Sequence, residues 1–230
     1  LVLNNGRPIP LWPCRTGVLV DGGTAYFAAG MLPWIESYLC AADAKTGRPE
    51  GAGRYVRKVS GPTLEGAMLT SAKRLYVPQG RVPPLLFDRQ TGNAEGPLKK
   101  GGGGCFVLLT GDDHVLHGPG NKTGWISDSN PNSREQVASF AGGNAMVVAG
   151  PTAYLLTDHS IAALDRATRK TVWNKPFEYP YELILAGNVL FAGGRDAVAA
   201  VDAKTGTLLG RHDVAGRAYG LAVAGKILAP

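Results

Sequence analysis

Cysteine is scarce in this chain. Its 230 residues hold three, Cys14, Cys40 and Cys105, with no Cys-x-x-Cys, no haem-attachment signature and no adjacent pair. Dithiol redox centres, cysteine zinc knuckles and c-type haem are therefore excluded. Long apolar runs are missing too: none reaches the roughly 18 residues of a membrane-spanning helix, and no signal-peptide pattern opens the chain. Histidine is limited to four residues. His159 and His212 have no nucleophile nearby, so no Ser/His/Asp arrangement can be assembled and no catalytic residue is assigned. Leu1 stands where an initiating Met would, so the sequence is read as part of a larger chain.

Turn formers are plentiful, 32 Gly and 16 Pro, and they punctuate a recurring phrase. It occurs as Asp43-Ala44-Lys45-Thr46-Gly47, Asp88-Arg89-Gln90-Thr91-Gly92, Asp165-Arg166-Ala167-Thr168-Arg169 and Asp202-Ala203-Lys204-Thr205-Gly206. The Asp carboxylate can accept backbone amides two residues on, and the closing Gly can turn left-handed, so each phrase reads as the corner of a hairpin. Arg169 replaces that Gly, and the strain of about 1 kcal/mol predicts a reshaped turn there. The Asp residues are 45, 77 and 37 positions apart. The middle interval is nearly twice the last, so one repeat has lost its signature, near Asp128 in the irregular stretch from Trp125 to Arg134. A period near 40 is that of a four-stranded propeller blade, and the fold predicted is an all-β β-propeller.

Five blades are expected at 17–57, 66–99, 104–140, 145–177 and 181–214, the third degenerating after its second strand. The ends each supply half a unit, 219–230 and 1–12, the latter around the hairpin signal Asn4-Asn5-Gly6. Paired, they would form a sixth composite blade and close the ring; the alternative is a fragment of a seven- or eight-bladed ring. Either way residues 1–230 are read as one propeller domain. Cys14 is expected on the innermost strand of the first blade and Cys40 on its third, about 9.6 Å apart and beyond disulfide reach. Three buried free thiols are predicted.

The unit Ala-(apolar)-Asp-Ala-x-Thr-Gly after an Ala-Gly-(Asn/Lys)-x-(apolar) turn, clearest over Leu185 to Leu209, resembles the pyrroloquinoline-quinone-like (PQQ-like) repeat family. That family holds quinone-dependent dehydrogenases and also cofactor-free propeller lipoproteins of outer-membrane assembly. The opening, Asn5-Gly6-Arg7 through Trp12 to Gly17, resembles planctomycete-type bacterial repeat proteins. The resemblance implies a periplasmic, cell-envelope or secreted protein. It also implies a Trp eight residues after each Asp that docks neighbouring blades. Only Trp173 fits; Gly51, Gly96 and Gly210 hold the other positions. The dehydrogenases' vicinal cysteines are missing and no calcium-ligand set can be matched. No cofactor is therefore predicted, and the reading is a non-catalytic binding or scaffolding module. The alternative is a fragment of a PQQ-dependent dehydrogenase whose quinone and calcium residues lie elsewhere.

Propeller ligands commonly bind where the segments entering the innermost strands converge. Here these supply Arg15, Thr16, Glu65, Asn144, Tyr181, Glu182, Arg217 and Tyr219, which could hold a protein or a small polar ligand, or simply pair with one another. The net charge of +6 is concentrated in residues 54–100, with nine basic groups against three acids. That region is either a solvated basic edge or a surface for an anionic partner; with few aromatics for base stacking, nucleic acid is not expected. In Asp112-Asp113-His114-Val115-Leu116-His117 the two histidines face opposite sides of a strand. A polar outer strand is expected there and no metal site. Gly101 to Gly104 lacks the helix and Lys-Ser/Thr of a phosphate loop and reads as a flexible blade connection. Asn121-Lys122-Thr123 matches a glycosylation acceptor.

Overall fold

The computed structural model describes residues 1–32, 34–104, 107–118, 124–224 and 227–229, and every regular element among them is a strand. The acceptor pattern at 121–123 and Cys105 lie outside the described residues. Two compact units are present, Leu1–Thr123 with Ser127–Ser139, and Gly124–Ile126 with Phe140–Pro230.

Five four-stranded antiparallel sheets follow one another, each built in chain order. Blade one comprises Leu19–Asp21, Thr24–Ala29, Ser37–Asp43 and Tyr55–Val59; blade two Leu69–Thr70, Arg74–Val77, Leu85–Asp88 and Ala94–Pro97. Blade three holds Val107–Leu109, Val115–His117, Trp125–Ser129 and Gln136–Ala141. Blade four holds Gly143–Ala149, Thr152–Thr157, Ser160–Asp165 and Thr171–Pro176, and blade five Glu182–Ala186, Val189–Gly193, Arg195–Asp202 and Leu208–Arg217. The terminal hairpins, Val2–Asn4 with Arg7–Ile9 and Ala222–Ala224 with Ile227–Ala229, are two-stranded sheets of their own. Cys14 precedes the first strand of blade one, bridging Ala29, and is exposed rather than buried; Cys40 is buried, and both are free.

Alternation along each strand buries both faces of an internal blade. In blade two, Leu75, Val77, Leu85 and Phe87 pack with Tyr26, Leu39 and Tyr55 of blade one. Their neighbours Tyr76 and Leu86 turn the other way, onto Leu98 and Val115. Blades four and five share a like seam, with Tyr154, Leu156 and Ile161 against Leu183, Leu190 and Val201.

The corners are alike at atomic detail. Asp43 Oδ1 accepts the Thr46 amide at 2.8 Å and its hydroxyl at 2.9 Å, and Asp88, Asp165 and Asp202 hold Thr91, Thr168 and Thr205 in the same way. Those bonds hold all four carboxyls below the ordinary aspartate range. The turn at Arg169 is not reshaped: Arg169 takes φ 61° and donates its amide to Asp165 O at 2.7 Å, as Gly47, Gly92 and Gly206 do in theirs. Blade three does not degenerate either. Its corner is Asn130-Pro131-Asn132-Ser133-Arg134: Asn130 Oδ1 accepts the amides of Asn132 and Ser133 at 2.8 and 3.2 Å, and Arg134 closes at φ 62°. The missing signature thus lies two residues beyond Asp128, with Asn, Ser and Arg in place of Asp, Thr and Gly.

Three of the corners lean on the preceding blade. Trp173, paired with Ala163, donates Nε1 to the carbonyl of Ala203 at 3.2 Å, and its ring fills the space a side chain at Gly206 would need. Tyr55, paired with Ala41, occupies the corresponding place in blade one, its hydroxyl donating to Arg89 O at 3.3 Å and its ring covering Gly92. The docking aromatic is therefore present in blade one as Tyr55, not replaced by Gly51. Blade two does carry Gly96 at this register, opposite Leu86, and the Arg134 guanidinium of the next corner fills the space, donating to Glu95 O at 2.7 Å.

Candidate functional site

Antiparallel order gives every blade two ends. The Asp corners and the turns between first and second strands lie at one; the segments entering strand one and the loops between strands two and three lie at the other. The candidate residues fall at this entry end.

In the first unit a cleft of about 590 Å³ opens there, within the usual range for small-ligand sites. It is lined by Arg15 and Glu65 from entry segments, Thr63 and Pro62 between blades one and two, Met31 from the blade-one loop, and Gln79, Arg81 and Val82 from the blade-two loop. Arg15 forms an ion pair with Glu65 and donates to Met31 O at 3.4 Å. Glu65 is fixed by its backbone, bridging Gln79 in parallel and donating its amide to Pro78 O. Gln79 is buried and gives its side-chain amide to Pro83 O at 2.6 Å, which leaves its carbonyl oxygen for a ligand. Thr16 lies outside the lining: buried, it accepts the Ala28 amide at 2.8 Å and is structural. Gln79 and Arg81 were not among the sequence candidates, because only entry segments were counted; strand direction alone puts the loops between strands two and three at the same end.

In the second unit Tyr181 and Tyr219 stack with ring centroids 4.5 Å apart, and Arg217 lies 6.0 Å from the Tyr181 centroid, within reach of the Tyr219 hydroxyl. Burial raises the carboxyl pKa of neighbouring Glu182, opposed by the Leu183 amide. Asn144 is spent, donating to Asp158 at 2.8 Å and Pro180 O at 3.1 Å.

The histidine-rich segment is not a polar outer strand. Val115–His117 is the second strand of blade three and fully buried. His114 pairs with Asp128 at 2.9 Å. His117, facing the other way, has Nδ1 at 3.0 Å from Gly102 O and Nε2 at 3.1 Å from Ser129 Oγ. Burial pushes its pKa down to about 4. Nor is the glycine run a loose connection: Gly101 rests on His117 and Ser127, and Gly103 on the Arg81–Val82 peptide, where any side chain would collide.

The basic stretch is largely neutralised in place. Arg54 pairs with Asp43, Lys58 with Glu36, Arg74 with Glu95, Arg89 with Asp21 and Lys99 with Glu135. Four of those five acids come from outside residues 54–100, which a count along the sequence misses. Among the described residues no three His, Cys, Asp or Glu gather where a cation could be held, and Cys14 and Cys40 stand on different segments.

No family model and no curated protein matches the chain. Solved structures do. BamB from Moraxella catarrhalis superposes with a TM-score of 0.64 at 18% identity, over 85% of this chain and 60% of that one. The computationally designed Ika8 protein gives 0.71 at 14%, over 94% and 67%, and a europium-containing methanol dehydrogenase 0.66 at 14%, over 89% and 51%. The chain thus spans about 60% of the length of BamB. At these identities the likeness establishes the fold, a β-propeller of four-stranded blades.

Proposed function

We propose that the chain is a binding or scaffolding propeller module of an extracytoplasmic bacterial protein. It takes a small polar ligand or a peptide at the entry end of blades one and two and needs no cofactor. The observation that carries this reading is the cleft itself. Its polar side chains come from three separate segments and are held in place, Arg15 by Glu65 and Gln79 by Pro83 O, so they are pre-organised for recognition.

The discriminating experiment is titration of the purified chain with PQQ and calcium, followed by absorbance and by reduction of an electron-accepting dye in the presence of alcohols or sugars. No saturable spectral change and no dye reduction are expected. Saturable quinone binding with substrate-dependent dye reduction would overturn the reading in favour of a dehydrogenase fragment.

A further inference from the structure

We infer that the entry-end cleft binds a carboxylate carried beside a small apolar group, with Arg81 as its anchor; this rests on the binding reading and names its ligand class. Three charged side chains line the cleft, Arg15, Arg81 and Glu65, and they do not cancel. Glu65 is committed to Arg15, and its carboxylate lies directly over Gly80, at φ 71°, in space that any side chain there would take. Arg81 is left with no side-chain partner among the described residues.

The loop that carries Arg81 is nonetheless held tightly. Its amide donates to Gln79 O at 3.0 Å, Gly80 bridges Gly104, and Gly103 lies against the Arg81–Val82 peptide. A fixed backbone therefore presents an unpaired guanidinium to a concave site carrying one net positive charge. A guanidinium offers a planar pair of N–H donors that matches a carboxylate. Met31, Pro62 and Val82 provide apolar wall beside it. The complementary ligand pairs a carboxylate with an adjoining aliphatic group, as the last residue of a peptide does, or an acidic side chain beside an apolar one.

Calorimetric titration of the intact chain with three short synthetic peptides tests this: one ending in Leu with a free carboxylate, its C-terminal amide, and an amidated peptide with an internal Glu-Leu step. The free acid is expected to bind about tenfold or more tightly than its amide. Arg81→Ala should reduce the acid to the amide's level without changing Tm, and Lys73→Ala, which removes an exposed charge elsewhere, should leave it unchanged. If the internal-Glu peptide binds as well as the free acid, the carboxylate comes from a side chain; if only the free acid binds, it comes from a chain terminus. Both outcomes support the inference. Equal binding of acid and amide, retention of acid binding by Arg81→Ala, or no binding of any peptide overturns it. Equal binding would still leave a binding module, which only quinone-dependent dye reduction removes.

Discussion

Lowering the pH from 7 to 5 should destabilise this protein through one buried side chain, His117. In the folded chain the imidazole is fully buried, between Gly102 O and Ser129 Oγ, with a pKa near 4; unfolded, it titrates near 6.5. Between those values the unfolded state binds the extra proton, so stability falls as pH falls. The loss from pH 7 to 5 is about 2 kcal/mol and approaches about 3 kcal/mol below pH 4. The corner aspartates, also held low, destabilise in the same direction but only as unfolded carboxyls protonate, below about pH 5. Urea unfolding at pH 7, 6 and 5 isolates the histidine, and a thermal scan should show a drop of about 4–8 °C between the extremes. His117→Gln cannot take up a proton in this range; it should be less stable at pH 7 and lose far less on acidification to pH 5. The same pH slope in both proteins would refute the reasoning.

Two further predictions concern the corners and the blade junctions. Arg169→Gly relieves a left-handed arginine and should stabilise by up to about 1 kcal/mol, while Gly47→Arg, imposing the same conformation on an unstrained turn, should cost about as much; both are read by chemical denaturation. Asn130→Asp should be tolerated, and Asn130→Ala and Asp202→Ala should each cost about 1 kcal/mol. Tyr55→Phe, deleting only the bond to Arg89 O, should cost about 1 kcal/mol, and Trp173→Ala about 3 kcal/mol.

Blade positions were legible because each corner packs its signal into five consecutive residues, and a carboxylate that must reach an amide three residues on cannot drift in sequence. What the sequence hid was equivalence by geometry. Asn130 accepts the amides two and three residues on as the corner aspartates do, and Ser133 Oγ accepts the Glu135 amide as the corner threonines accept theirs, while sharing neither identity. Tyr55 reaches the place of Trp173 through a longer loop, so counting from Asp43 arrives at Gly51, while strand pairing, Ala41 with Tyr55 and Ala163 with Trp173, finds it. The alternation that separates His114 from His117 was readable. The burial of His117 was not, because its cover comes from Gly101 and Gly102, fifteen or so residues upstream. At the site, Arg15 and Glu65 were found together from their entry positions, whereas Arg81 entered only once the loop between strands two and three was seen to share that end.

The claim that recognition occurs at the entry end of blades one and two is tested most directly by amide hydrogen exchange across the chain, with and without the carboxylate peptide. Binding there predicts new protection at residues 61–65 and 79–82 and none at the Asp43 and Asp88 corners of the same blades. Protection confined to those corners, or no change at either end under saturating peptide, would contradict it.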